Sequence, residues 1–138
     1  MFKKLFLIAI IFALTSCLDD DNENLGITQL GSFTEISSPS DASSNEEVTF
    51  NVKIKRPYEC LKFEQFEIDK SNDNYVLIKP ILVEDYRDCN LEEQNELIED
   101  SLKYTIDREG EMKFRFLADK KDDGTYNFIE KIINVTDE

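Results

Sequence analysis

Seventeen consecutive residues, Glu84 to Asp100, carry eight carboxylates (Glu84, Asp85, Asp88, Glu92, Glu93, Glu96, Glu99 and Asp100) against a single base, Arg87. Charge at that density can steer a cationic partner and raise its rate of encounter. The same composition also makes a solvated face that keeps a chain in solution, and charge runs commonly do only that. Tyr86, set among these charges, is the aromatic expected to be exposed. Cys60 and Cys89 are the second set of reactive groups. Outside the cytosol, an even pair in a small body reads as a disulfide. Closing a loop of about 30 residues would stabilise the fold by roughly 3–4 kcal/mol. The other use of two thiols is redox or metal chemistry. There is no Cys-x-x-Cys spacing for the first and no His to complete a mixed zinc site for the second.

The absence of His removes every Ser-His, Cys-His and His-ligated metal arrangement. Gly26, Gly31, Gly110 and Gly124 stand apart, so no phosphate loop is present. Paired carboxylates, as in glycosidases, are the chemistry that remains. A body spanning 46–135 rarely builds the cleft such chemistry needs, so the chain reads as non-catalytic and without a cofactor. Asp69-Lys70-Ser71-Asn72-Asp73 has oxygen side chains at the first, third and fifth places of an EF-hand loop. Asn74 then stands where Gly is required and Pro80 where Glu is, so the motif fails and no metal site is assigned. Asp119, Asp122 and Asp123 beside Gly124 read as a polar hairpin turn.

The elements that must hold these groups are strands. Val48, Phe50, Val52 and Ile54 alternate with Thr49, Asn51, Lys53 and Lys55, the mark of a half-buried strand. Leu61–Ile68, Tyr75–Val83, Leu102–Asp107, Met112–Leu117 and Tyr126–Val135 are further strands, separated by turn-forming residues. Six short strands so spaced predict a mainly β fold, a small antiparallel β-sandwich of immunoglobulin-like general shape. Phe50, Phe63, Phe66, Phe114, Phe116 and Phe128 fall in strand patterns and are expected in the core. One short inserted helix is expected over 91–100, because Asn90 and Glu93 make a capping box and Leu91, Ile98 and Leu102 share a helical face.

The N-terminus has a separate logic. Lys3 and Lys4 precede the unbroken apolar run Leu5–Leu14, followed by Thr15, Ser16 and Cys17. Ten apolar residues rise only about 15 Å as a helix, half of a hydrocarbon core, which fits an export signal and not a permanent span. Leu14-Thr15-Ser16-Cys17 closely resembles a bacterial lipobox. That resemblance implies cleavage before Cys17 and diacylation of its thiol, so that Cys17 anchors the chain in a membrane. Asp19, Asp20 and Asp21 resemble the surface-export tag of Bacteroidota lipoproteins, which implies the outer face of the outer membrane. An acidic spacer is the alternative use of those residues.

The chain therefore divides into a signal (1–16), a lipidated Cys with an acidic tether (17–45), and one β-sandwich (46–138). The tether is expected to be mostly flexible, although Ile27, Leu30, Phe33 and Ile36 could dock as an edge strand. After the signal, 14 bases remain against 30 acids, a balance that excludes nucleic acid as a partner. The expected function is a non-catalytic, lipid-anchored envelope module that binds or assists at the outer membrane surface. The alternative is a periplasm-facing inhibitor or immunity protein that neutralises a cationic enzyme or toxin through Glu84–Asp100. The sequence leaves the partner and the oligomeric state open.

Overall fold

The alternation at Val48–Lys55 becomes a ten-residue strand, Glu47–Arg56, with its even-numbered apolar side chains buried and its odd ones wet. It is the fourth of nine strands in a computed structural model that describes residues 26–84 and 92–137. In chain order they are β1 (Thr28–Leu30), β2 (Ser32–Ser37), β3 (Asp41–Ser43), β4 (Glu47–Arg56), β5 (Leu61–Asp69), β6 (Val76–Glu84), β7 (Glu96–Thr105), β8 (Gly110–Lys120) and β9 (Tyr126–Thr136). Strands β2-β4-β7 form one sheet. The other runs β1-β6-β8-β9-β3, with β5 also paired to β6. Of the five later strands, β5, β6, β8 and β9 begin and end close to where the residue patterns put them, whereas β7 begins six residues before the expected Leu102.

Both sheets contribute to one apolar core. Phe50 of β4 meets Phe114 and Phe116 of β8 at 4.9 and 5.2 Å between ring centroids. Phe33 of β2 meets Phe116 edge-on at 5.3 Å. Among the described residues no charged or polar side chain is buried. Phe128 departs from expectation: it is 41% exposed, because Ile129, Ile133 and Val135 take the core side of β9 and Phe128 falls on the other face.

Three features depart from the sequence reading. First, no helix occurs among the described residues, and Glu96–Thr105 is a strand. Ile98 and Leu102, four apart, fit a helical face and a strand face equally; their register opposite Ile54 and Phe50 selects the strand. Second, the pairing is not wholly antiparallel, since β3 runs parallel to β9 and β6 parallel to β8. Between β6 and β8 the chain crosses to the other sheet to form β7. Third, β1, β2 and β3 lie within the segment read as tether, and Phe33, Ile36 and Ala42 from it are buried. Of the residues named for an edge strand, Phe33 and Ile36 pack inward and Ile27 and Leu30 stay exposed.

Gly31 alone separates β1 in one sheet from β2 in the other. Its N–H donates to the Pro80 carbonyl at 2.8 Å, and a Cβ there would stand 3.1 Å from Leu82. Pro80 is tolerated in the interior of β6 because its missing N–H falls where β8 stops and β1 takes over the same edge.

The register sorts the connections to two ends. Glu84 at the end of β6 donates its N–H to Ile27 at 3.1 Å and lies opposite Leu61. Gly26, the β4–β5 turn, the start of β7 and the β8–β9 hairpin therefore share one end. The turns at 70–75 and 106–109 share the other.

Candidate functional site

The outer face of the three-stranded sheet collects part of the acidic stretch. In the β4–β7 register Lys53 stands opposite Glu99, and Asn51 opposite Ser101. Lys53 Nζ is 3.0 Å from Glu35 on β2 and 4.0 Å from Glu99 on β7, so one cation serves both edge strands. The hydrogen bond it donates to Glu35, then the charge of Glu35, holds the Lys53 ammonium above its ordinary pKa. Glu35, Ser37, Asn51, Lys53, Glu99 and Ser101 line an open concavity of about 470 Å³ on this face. Neither Glu35 nor Asn51 was singled out from the sequence; only the register across three strands brings them beside Glu99.

The other acidic residues are dispersed. Glu96 pairs with Arg56 across the sheet. Glu92 and Glu93 are exposed ahead of β7, and Glu84 is half-buried at the end of β6. Asp85, Tyr86, Asp88 and Cys89 lie outside the described residues.

Asp100 is the unusual member. Its register puts it on the core-facing side of β7, between Ile98 and Leu102 and opposite the buried Val52. It nevertheless stays exposed, and its carboxylate accepts the N–H of Ser101 at 2.7 Å. A charge on the inward side of an edge strand discourages another strand from adding there. Asp100→Val should raise stability by about 1 kcal/mol, because a β-branched residue continues the apolar face. It should also produce concentration-dependent self-association in sedimentation velocity. A variant that stays monomeric would remove the guarding role.

Cys60 is 8% exposed at the start of β5. Leu61, next to it, is paired with Glu84, the last residue before the chain that leads to Cys89. Four residues, 85–88, separate Glu84 from Cys89, which puts the second thiol within chain reach of the first.

The oxygen-rich segments considered for calcium are turns. The Ser71 N–H bonds Asp69 at 2.8 Å and the Asn74 N–H bonds Asn72 at 2.8 Å. Asp123 accepts both the N–H and the hydroxyl of Thr125, with Gly124 at a φ of 86° closing the hairpin. No group of three or more metal-ligating side chains occurs among the described residues.

A cluster that the sequence did not reveal ties the two sheets at the end opposite Gly26. Lys70 Nζ donates to Asp107 at 2.9 Å and stands 4.8 Å from the Tyr104 ring centroid. The Tyr104 hydroxyl donates to the same carboxylate at 3.3 Å. Burial raises the Asp107 pKa, but the hydrogen bond and charge of Lys70, with Tyr104, outweigh it and the net shift is downward. A carboxylate lowered in the folded state adds stability above its unfolded pKa of about 3.9 and loses it as pH falls through the folded value. Acid unfolding should therefore begin at higher pH in Asp107→Asn than in the parent. Because Lys70 and Asp107 are 49% and 39% exposed, a double-mutant cycle with Lys70→Met should give a coupling under about 1 kcal/mol. Identical acid midpoints would show that the clamp contributes nothing.

No family model matches this chain, and comparison with curated proteins and with solved structures finds no match.

Proposed function

We propose that this protein is a non-catalytic, lipid-anchored module of a bacterial cell envelope, with the β-fold as a binding or accessory domain at the outer membrane surface. The single observation that carries the reading is the N-terminal order of Lys3-Lys4, Leu5–Leu14 and Leu14-Thr15-Ser16-Cys17. Two or three acyl chains on one cysteine hold a protein on a membrane essentially permanently. Asp19–Asp21 favours the outward leaflet. A β-sandwich of immunoglobulin-like general shape belongs to the same proposal, supported by two sheets around one core. The Cys60–Cys89 bridge belongs to it as well, because export places both thiols in an oxidising compartment.

Palmitate labelling of cells that express the tagged chain tests the anchor. Label should enter the parent and be absent from Cys17→Ala. Protease shaving of intact cells then tests the leaflet: loss of a C-terminal tag supports surface exposure, and survival until the outer membrane is opened overturns it.

A periplasmic inhibitor or immunity protein is the second reading. It is favoured by the concavity in which Glu35 and Glu99 flank the single cation Lys53. Its affinity for a cationic enzyme should fall steeply as salt shortens the Debye length from about 30 Å at 0.01 M to about 8 Å at 0.15 M. An affinity unchanged by salt removes that reading.

A further inference from the structure

Eight residues, 18–25, separate Cys17 from Gly26. Nine Cα–Cα steps reach at most about 30 Å, and roughly 15–18 Å as a coil. Gly26 and Ile27 are fixed against the end of β6. A Cβ at Gly26 would stand 2.4 Å from the Glu84 carbonyl oxygen and 2.6 Å from Val83 Cγ2. The Ile27 carbonyl accepts the Glu84 N–H. The described chain therefore begins at one fixed corner of the fold, and Cys17 lies within about 30 Å of it along the chain.

That corner carries its own surface. Ile27 is 59% and Leu30 45% exposed. Beside Leu30, Lys55, Pro57, Ala118, Lys120 and Tyr126 line an open pocket of about 190 Å³. Lys120 Nζ stands 5.9 Å from the Tyr126 ring centroid. Aliphatic tips and a tyrosine settle at the boundary between headgroups and acyl chains, while lysines lay their stems there and send ammoniums to phosphates.

We propose, resting on the lipid-anchor reading, that the corner formed by Ile27, Leu30, Lys55, Lys120 and Tyr126 lies against the phospholipid surface that holds Cys17. The same end also bears Glu59, Glu84, Glu92, Glu93, Asp119, Asp122 and Asp123, which oppose an anionic surface. Contact is thus confined to the corner and weak on its own. The anchor makes it intramolecular, at an effective concentration on the order of millimolar. The consequence is an orientation, with the turns at 70–75 and 106–109 facing away from the membrane.

The chain contains no Trp, so a single introduced Trp is an unambiguous reporter. Full-length lipidated protein carrying Ile27→Trp, Leu30→Trp or Glu109→Trp would be reconstituted in phosphatidylethanolamine–phosphatidylglycerol vesicles, with and without bromine on the acyl chains. All three positions are exposed, and unchanged urea midpoints would verify their folds. Ile27→Trp and Leu30→Trp should lose about half of their emission to brominated lipid and shift to the blue, as an interfacial side chain does, while Glu109→Trp is unaffected. No quenching at any position, or equal quenching at all three, in protein that floats with the vesicles would overturn the orientation and leave the anchor standing. Protein that does not float, together with Cys17 unlabelled by palmitate, would overturn both.

Discussion

Phe50→Ala should destabilise the fold by about 3–5 kcal/mol, the range for removing a fully buried aromatic side chain. Phe50 is 0% exposed and is the ring through which β4 touches β8, with Phe114 and Phe116 both within ring-contact distance. Truncation deletes the apolar burial and leaves a cavity that two rigid sheets cannot close. Those aromatic pairs lose a further increment beyond area, of about 0.5–1.5 kcal/mol each. For a domain whose total stability is on the order of 5–15 kcal/mol, that is a large fraction. Urea unfolding followed by circular dichroism should show a much lower midpoint with an unchanged slope. Phe128→Ala provides the control. The chemistry is the same, but at 41% exposure the loss should be near 1 kcal/mol. Equal losses at the two positions would mean that the sheets do not share a core as described.

The second large effect is expected at the cysteines. Replacing Cys60 and Cys89 together by Ala should cost about 3–4 kcal/mol, most of it through the unfolded chain, whose loop of about 30 residues is no longer closed. The parent should lose the same amount in dithiothreitol, and the double variant should not respond to reductant. Thiol titration of the unfolded, unreduced parent should find neither residue reactive. If parent and double variant share one urea midpoint, the pairing is wrong and Cys60 is a small core residue at the start of β5.

How much of this could be read in advance depended on whether the signal was local. The strand β4 was legible because every second residue is apolar for eight positions. In β7 the same alternation is interrupted at Asp100, the inward charge, and what survives (Ile98 and Leu102) has helical spacing. The strands β1–β3 were hidden by their composition, since serines and acids on the wet side outnumber Phe33, Ile36 and Ala42 on the dry one. Phe33 and Ile36 were legible as residues that could dock at a sheet edge, and β2 is such an edge strand; Ala42 carried no signal. The candidate site was legible only in part. Glu99 and Asp100 were named, but Lys53, paired with Glu35, reaches Glu99 only across register. The Lys70–Tyr104–Asp107 clamp joins residues far apart in the chain, and no spacing rule could have found it.

The short strand β1, three residues long, has a mechanical consequence. On the proposal that Cys17 is the anchor, a pull on the far end of the domain enters the fold at Gly26 and loads β1 along its own axis. β1 runs antiparallel to β6, and its hydrogen bonds lie across the direction of force. They are therefore strained together in shear instead of opening one at a time as in a zipper. Gly31, bonded to Pro80, stands behind them as the next point of resistance. The three residues of β1 would then act as a latch, and a pull entering at Gly26 would meet this latch before it reaches the core.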